Sequence, residues 1–146
     1  MTAIRKATSL DLARIAEIYV FNYRLNFYPI FKNDEYYFSE LQVPNQMEQF
    51  ADHISSIWVY DDSVVKGFIV LEHNEIKKLF VEPVLQGNSI GSALLKYAID
   101  EHHAKTLWAL EKNTRAIRFY ERHGFQITSD RKPEDDTTEF LVRLER

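Results

Sequence analysis

The chain has 146 residues, of which 45% are apolar and 27% charged, with a net charge of −4 and no cysteine. This length and composition predict one globular domain, residues 1–146, with a substantial core. The acidic balance disfavours broad binding to nucleic acids. Without cysteine there is no disulfide, no thiolate metal site and no cysteine nucleophile, and we expect no metal. No apolar run approaches the roughly 20 residues that cross a bilayer, so we expect a cytoplasmic protein without membrane contact.

The first part of the chain predicts a short strand followed by helices. Residues 3–7 have the pattern of a strand, and Ser9 or Asp11 is expected to cap the next helix. That helix carries apolar residues at helical spacing, namely Leu12, Ile15, Ala16 and Tyr19. Residues 19–38 hold nine of the eighteen Tyr and Phe residues and are interrupted by Pro29, which predicts a loop or a helix–loop–helix. Residues 47–54 predict another helical turn or two.

The rest of the chain alternates between strand and helix patterns. The polar turns at residues 61–63 and 73–74 separate three strand-like runs. Asn113 or Thr114 can cap a helix that ends near Gly124. The predicted strands are 57–60, 64–72, 76–81, 106–111, 126–129 and 138–144, and the predicted helices are 89–103 and 114–124. The order indicates a mixed α/β fold.

Residues 86–92, Gln-Gly-Asn-Ser-Ile-Gly-Ser, contain two of the four glycines and open a predicted helix. Unpaired N–H groups at a helix N-terminus, together with the helix dipole, suit an anion such as phosphate. Gly87 and Gly91 would let the backbone curl around it. A well-capped turn is the alternative, because Asn88 and Ser89 are good capping residues. The stretch lacks the Lys-Ser/Thr of a P-loop and the Gly-x-Gly-x-x-Gly of a Rossmann site.

A second informative stretch runs from Asn113 to Phe125. One helical face carries four of its residues, and Phe119 and Phe125 are expected in the core. The residues that share the face are Ala116, Phe119, Tyr120 and His123. A tyrosine in such a position is either structural or catalytic, and its hydroxyl needs a partner when it is buried.

Together the two stretches resemble the GNAT (GCN5-related) N-acetyltransferase family. Gln86-Gly87-x-x-Ile90-Gly91-Ser92 is similar to the family's loop for the pyrophosphate of acyl-CoA, Gln/Arg-x-x-Gly-x-Gly/Ala. Asn113-x-x-Ala116-x-x-Phe119-Tyr120-x-x-x-Gly124-Phe125 is similar to a second family motif. The resemblance covers essentially the whole chain. It implies a mixed sheet of about six to seven strands with about four helices, and two splayed parallel strands that bind coenzyme A.

The resemblance also implies a role for individual residues. The Leu79 N–H would polarise the thioester carbonyl of acetyl-CoA, and the Val81 N–H would bind the pantetheine arm. Asn113 would bind the same arm, although it is also a plausible helix cap. Tyr120 would contact the cofactor and protonate the departing thiolate. The pyrophosphate would be held by backbone amides of Gln86, Gly87, Asn88, Ser89, Ile90, Gly91 and Ser92.

Two residues depart from the family pattern. Ser89 stands where the family usually has its middle glycine, and Asn88 stands where a basic residue is common. A serine N–H still donates, so we expect the missing positive charge to weaken cofactor affinity only modestly.

An amine that attacks a thioester must first lose its proton, so a base is expected. Glu75 lies four residues before Leu79, where some family members carry a catalytic glutamate, and strand alternation puts it on the same face as Lys77. The alternatives are a solvated Glu75 at a turn, or a base reached through water. Weaker candidates for the base are Glu72, His73 and Glu111, whereas His102 and His103 are expected at the surface. Direct attack by the amine fits the absence of cysteine.

The resemblance places the acceptor site near the N-terminal helices. There an aromatic cluster with two carboxylates suits a cationic amine, or its rings simply fill the core. The members are Tyr23, Phe27, Tyr28, Phe31, Tyr36 and Tyr37, with Asp34 and Glu35. The expected activity is transfer of an acetyl group to a primary amine of a small molecule or a peptide. The alternative is an acyl-CoA-binding module without turnover. A homodimer that pairs residues 140–142 of two subunits is a further alternative.

Overall fold

The computed structural model describes residues 3–146, which form seven strands and five α-helices. The strands are β1 Ile4–Lys6, β2 Ile57–Asp61, β3 Val65–Glu72, β4 Glu75–Val81, β5 Thr106–Leu110, β6 Gln126–Pro133 and β7 Phe140–Glu145. The helices are α1 Leu12–Asn26, α2 Tyr28–Phe31, α3 Val43–Ala51, α4 Ile90–His102 and α5 Thr114–Arg122. The predicted order of elements is confirmed, with one helix more than expected.

The strands hydrogen-bond in the order β1-β2-β3-β4-β5-β7-β6. Strands β4 and β5 are parallel, whereas the pairs β1–β2, β2–β3, β5–β7 and β6–β7 are antiparallel. The parallel pairing covers only Glu75↔Thr106 and Ile76↔Leu107. The mixed sheet with one short parallel pair confirms the predicted fold class. Among residues 3–146, no helix is both long and apolar enough to span a bilayer.

Strand β7 is paired along both of its edges. Val142 faces Ala109 of β5 on one side and Arg131 of β6 on the other. Because its backbone N–H and C=O groups already have partners in the same chain, pairing of residues 140–142 between two subunits does not fit this structure.

The described chain clusters into two compact units. One unit comprises residues 3–70 with Lys78–Tyr97, and the other comprises Leu71–Lys77 with Ala98–Arg146. The expectation that residues 1–146 form one domain stays a prediction.

The core of the first unit lies where α1 and α3 cover β2 and β3. Ile15, Ile18 and Tyr19 of α1 are buried at helical spacing, as the sequence pattern predicts. They pack with buried apolar residues of the strands, such as Ile57 and Phe68. Removing this apolar surface from water supplies the main stabilisation of the unit.

The aromatic stretch between residues 19 and 38 is more helical than predicted. Pro29 lies in the first turn of α2, where a missing N–H costs nothing, so it helps to begin a helix instead of breaking one. Lys32 adopts a left-handed conformation and ends α2. A π-helical turn follows over Tyr36–Glu40, in which the Leu41 N–H donates to the Tyr36 carbonyl at 2.7 Å.

In the second unit, buried apolar residues come from α5, β5 and β7 and from the residues that follow α5. Leu107, Leu144 and Phe125 are essentially inaccessible to water. Gly124 ends the helical segment with a φ of +92°, as predicted from its position. Strand β6 extends to Pro133, four residues beyond the predicted end at residue 129, because its register shifts between Ile127 and Arg131 and pairing with β7 then resumes.

The start of α1 is held by an ion-pair network. Asp11 lies at the N-cap position, but its carboxylate accepts the backbone N–H of Thr8 at 2.8 Å and does not cap α1, so the predicted side-chain cap is wrong. Both Asp11 oxygens accept hydrogen bonds from Arg5, at 2.8 and 3.0 Å. Arg5 also contacts Asp61 at 2.9 Å and so joins β1, α1 and β2. The hydrogen bond from Arg5 is the main reason that the pKa of Asp11 lies below its ordinary value of 3.8.

Replacing Asp11 with asparagine is expected to destabilise the protein by about 1–2 kcal/mol at pH 7. A folded-state pKa below the unfolded value means that the carboxylate contributes fully above the unfolded pKa, and that this contribution is lost as pH falls through the folded pKa. The stability difference between wild type and Asp11→Asn should therefore shrink below pH 3.8. Urea unfolding at a series of pH values measures it.

The matched control is Asp52→Asn, because Asp52 is exposed and makes no ion pair with residues 3–146. Its effect should be small at every pH. A difference for Asp11→Asn that stayed constant from neutral to acidic pH would show that its charge is not what stabilises the start of α1.

Candidate active site

The segment between β4 and α4 has an unusual backbone. After a short 3₁₀ turn at Pro83–Leu85, Gly87 has a φ of +93° and Ser89 a φ of +66°. Gly91 lies inside the first turn of α4 and is not one of the positive-φ residues. The second left-handed position therefore belongs to Ser89. The prediction that glycine permits the bend is correct for Gly87 but not for Gly91.

This segment presents N–H groups at the surface. Gly87, Asn88 and Ser89 are exposed, and Ile90 turns its side chain into the core. The Ala93 N–H donates to the Ser89 carbonyl at 3.0 Å. The preceding N–H groups of α4 then have no acceptor within the helix, and they lie at the positive end of its dipole. The arrangement suits an anion, and nothing stands within 4 Å of where a Gly87 side chain would begin.

Gln86 differs from the rest of the predicted loop. Its backbone N–H points to the Pro83 carbonyl at 3.4 Å. Its side-chain Nε2 donates to Asn22 Oδ1 at 3.0 Å and to the Val81 carbonyl at 3.3 Å. Gln86 is therefore turned toward α1 and β4, and its amide groups are engaged within the protein.

Two residues that shape this segment were not among the predicted site residues. Gly67 of β3 lies where a Cβ would come within 3.0 Å of the Phe80 carbonyl and 3.2 Å of both Ile90 and Leu94, so its lack of a side chain lets α4 approach the strands. An isolated glycine in an apolar strand is the available signal for such an approach. Asn22 is buried in α1 and bonds Gln86. A polar residue four positions after the buried Ile18 is its signal in the sequence.

The end of β4 lies beyond the stretch that pairs with β5. The Glu82 N–H donates to the Lys66 carbonyl of β3 at 2.9 Å. Because N–H groups of adjacent residues in an extended chain point to opposite edges, the Val81 N–H points away from β3. Val81 and Leu79 both follow the last pair with β5, at Ile76. The expectation that Leu79 and Val81 expose backbone donors to coenzyme A stays a prediction.

Glu75 begins β4 and makes an ion pair with Lys77 at 3.3 Å. The pair confirms that the two side chains share one face of the strand. Lys77 also lies 3.8 Å from Glu72. The Glu75 carboxylate is 28% exposed, so solvent and lysine both reach it. As a base it would have to act beside this ammonium group.

The weaker candidates for a base have other roles. Glu111 accepts two hydrogen bonds from Arg131, at 2.9 and 3.0 Å, and this contact lowers the pKa of Glu111. His73 adopts a φ of +54° in the turn between β3 and β4. His103 is exposed at the end of α4, as expected, and His102 is half-buried. Among residues 3–146, no three His, Asp or Glu side chains group as metal ligands would.

Tyr120 lies on the buried face of α5, and its ring contacts Phe119 and Phe125. The residue is 8% exposed, and burial raises the pKa of its hydroxyl above the ordinary value of 10.0. No side chain or carbonyl of residues 3–146 hydrogen-bonds this hydroxyl. Within the same residues no fully buried side-chain oxygen lacks a partner, so the hydroxyl must retain some access to solvent. A buried phenol with an accessible, protonated hydroxyl is suited to donate a proton.

Asn113 has the structural role that its position suggested. Its Oδ1 accepts the Ala116 N–H at 3.3 Å and caps α5. The amide nitrogen of the same side chain has no partner among the described residues. One side chain can therefore cap the helix and still donate to a ligand.

Most of the aromatic cluster near α1 belongs to the core. Tyr37 is buried, and the other rings are half-buried and pack against the core of the first unit. Tyr28 donates to Asp34, which raises the pKa of the tyrosine. The core explanation is therefore the better one for these rings. Phe38, Asp34, Glu35 and Glu40 remain exposed around the π-helical turn.

Comparison with known proteins places these features in a family. A family model described as "Acetyltransferase (GNAT) domain" matches residues 53–127, which include both the 86–92 loop and all of α5. The match covers half of the chain, and the chain belongs to the GNAT acetyltransferase family.

Two curated relatives match part of the chain. The peptidyl-lysine N-acetyltransferase YjaB of Salmonella typhimurium is 31% identical over 81 residues, which are 54% of this chain and 56% of that protein. The peptidyl-lysine N-acetyltransferase YiaC of Escherichia coli is 35% identical over 72 residues, 48% of this chain and 49% of that protein. The chain thus spans about half the length of these curated relatives.

A solved structure matches almost the whole fold. The PaiA N-acetyltransferase of Thermoplasma acidophilum, determined in complex with coenzyme A, has a TM-score of 0.76. The match covers 98% of both chains at 21% sequence identity. The similarity confirms the fold that the sequence resemblance implied.

The left-handed backbone of the loop predicts opposite responses at two positions. Gly87→Ala should cost about 1–2 kcal/mol of unfolding free energy, because an L side chain resists this φ while no neighbour is there to clash. Ser89→Gly should leave stability unchanged or raise it by up to about 1 kcal/mol, since it relieves a left-handed serine. Urea unfolding measures both.

Asn88→Ala serves as the control in the same loop, because Asn88 is exposed and does not have a positive φ. It should change stability by less than about 0.5 kcal/mol. If Gly87→Ala proved as stable as Asn88→Ala, the left-handed conformation of residue 87 would be refuted.

Proposed function

We propose that the protein is an N-acetyltransferase that moves an acetyl group from acetyl-CoA to a primary amine, and that this amine is a lysine side chain of a peptide or protein. The loop that opens α4 carries the proposal. Its two left-handed residues and its exposed N–H groups are suited to a diphosphate, and it lies within the segment that matches the family.

The residues of the chain fit coenzyme A by their donor chemistry. Backbone N–H groups of residues 87–92 would hold the diphosphate, and the open space beside Gly87 leaves room for it. The Val81 N–H and the free amide nitrogen of Asn113 would donate to the pantetheine arm. Residues 86–92 contain no lysine or arginine, so binding would depend on oriented dipoles more than on charge.

Acetyl-CoA supplies the acetyl group as an activated thioester. The Leu79 N–H would donate to the carbonyl oxygen, where negative charge develops as the amine adds. Tyr120 would give its proton to the sulfur as the carbon–sulfur bond breaks. The attacking nitrogen would lose its proton to Glu75, directly or through water, after this carboxylate separates from Lys77. A lysine that arrives as an ammonium ion would lose two protons, one to Glu75 before its nitrogen adds and a second to solvent from the adduct. The sulfur would gain one proton from Tyr120, solvent would restore Tyr120 and Glu75, and each turnover would release one proton overall.

Two observations support lysine as the acceptor. Both curated relatives described above are named peptidyl-lysine N-acetyltransferases. Residues 33–52 contain five Asp and Glu residues and no Lys or Arg, and three of these carboxylates lie exposed around the π-helical turn. Such a surface attracts cationic peptides and repels acidic ones.

The test is release of thiol from acetyl-CoA in the presence of lysine peptides, polyamines, aminoglycosides and acidic peptides. Lysine peptides should respond, and Tyr120→Phe should lower kcat by about a hundredfold or more. Tyr60→Phe is the matched control, since Tyr60 lies in β2, outside the proposed machinery. Coenzyme A binding without turnover of any amine would instead favour a binding module.

The raised pKa of Tyr120 also predicts the pH dependence of the reaction. A tyrosine whose pKa lies above 10.0 keeps its proton when pH rises to that value, while the acceptor lysine becomes neutral and more reactive. The enzyme-dependent kcat/KM should therefore rise through pH 9 and remain high at about pH 10. Stopped-flow or thiol-release assays, corrected for uncatalysed hydrolysis, measure the profile.

An alkaline fall in rate centred below pH 10, in protein shown by circular dichroism to remain folded, would contradict this assignment. The Tyr120→Phe variant provides the reference, because any fall that persists in it must come from another group.

A further inference from the structure

Asn22 is a buried polar residue that the mechanism above does not use. It lies in α1 with 2% of its surface exposed. Asparagine is a poor helix former, and a buried amide stabilises nothing unless its hydrogen bonds are made. An asparagine at a core position therefore needs hydrogen-bond partners that offset the free-energy cost of burying its amide.

The partners of Asn22 lie at the end of β4 and in the loop that follows it. Its Nδ2 donates to the carbonyl of Ile18 at 2.8 Å and to the carbonyl of Val81 at 2.9 Å. Its Oδ1 accepts from Gln86 Nε2 at 3.0 Å. Only the NH₂ end can face two carbonyls, so the network itself fixes the orientation of the amide.

Asn22, Val81 and Gln86 form a closed ring of hydrogen bonds. Gln86 Nε2 bonds Asn22 and also reaches the Val81 carbonyl, at 3.3 Å. The Val81 peptide and the first residue of the loop are thus held by one side chain of α1. Asn22 is buried and Gln86 is half-buried, so loss of either side chain removes a hydrogen bond from the partners that remain.

A second contact fastens the same segment to the same face of α1. Arg14, eight residues before Asn22, makes an ion pair with Glu82 at 3.0 Å and donates to the Val65 carbonyl at 2.9 Å. Residues spaced by four lie on one face of a helix, so Arg14, Ile18 and Asn22 are aligned along it. Helix α1 therefore binds residues 81–86 at two points, through Asn22 and through Arg14.

We propose that Asn22 is a positioning residue for coenzyme A, an inference that rests on the proposed function. Its hydrogen bonds hold the Val81 carbonyl and the Gln86 side chain. They thereby fix the direction of the Val81 N–H and the path of the chain into Gly87. The ring is present before any ligand binds. It therefore reduces the conformational entropy that the loop would otherwise lose on binding. Its loss should weaken binding of the cofactor in the ground state and the transition state alike, which raises KM and changes kcat little.

The experiment compares wild type, Asn22→Ala, Gln86→Ala and the double variant by calorimetric titration with coenzyme A. Asn22→Ala should raise Kd about tenfold, equal to about 1.4 kcal/mol. The double variant should bind no more weakly than the weaker single variant, because both changes break the same ring. A Kd for folded Asn22→Ala within twofold of wild type, or additive effects of the two substitutions, would overturn the proposal.

Gln46→Ala is the control for a purely structural effect. Gln46 is also a buried amide of the first unit, and it lies in α3. Even where this variant lowers the melting temperature as much as Asn22→Ala does, it should leave Kd and KM unchanged. Equal losses of affinity in the two variants would show that Asn22 has no special role.

A measurement without ligand separates this inference from the proposed function. Nitrogen-15 relaxation should show lower order parameters for residues 87–92 in Asn22→Ala than in wild type or Gln46→Ala. If wild type fails to bind coenzyme A, the proposed function fails, and this comparison alone decides whether Asn22 positions the loop. Unchanged order parameters would then overturn it.

Discussion

The short pairing between β4 and β5 is the constraint from which the other features of the site follow. Strands β4 and β5 pair only at Glu75↔Thr106 and Ile76↔Leu107, so the backbone groups of β4 after Ile76 have no partner in this ladder. Near the end of β4, backbone groups hydrogen-bond to other partners instead. The Glu82 N–H bonds Lys66 of β3, and the Val81 carbonyl bonds Asn22 and Gln86. The Val81 N–H points away from β3, and in the proposed function it would donate to the pantetheine arm.

The loop that follows depends on the same arrangement. Once residues 81–86 are fastened to α1, the chain must turn sharply to begin α4, and it does so with left-handed conformations at Gly87 and Ser89. Gly67 then lets the first turn of α4 lie close to the strands. The result is a helix N-terminus with exposed N–H groups. Contacts with α1 hold the chain before the loop, and close packing at Gly67 holds the first turn of α4 after it. Strain of this kind persists where surrounding contacts determine the backbone and is common at ligand sites.

The order of strands and helices could be predicted because apolar spacing and turn residues are local signals. The cap at Asn113 and the end of α5 at Gly124 followed from the same rules. Three features were not predictable in this way. The helical path of residues 19–38 depends on tertiary packing of aromatic rings, and Pro29 fits both a break and a helix start. The role of Asn22 depends on a partner 64 residues away. The left-handed conformation of Ser89 has no local signal in the sequence, since a serine seldom adopts a positive φ.

Coenzyme A is expected to bind to backbone N–H groups at the end of β4 and at the start of α4. The most direct test is nitrogen-15 NMR of the amide groups during titration with coenzyme A. The largest shifts should occur at Val81 and at residues 87–92, with no comparable change in β1, β2 or β6. Saturable binding that left these amides unmoved, or that shifted a different surface, would contradict the claim.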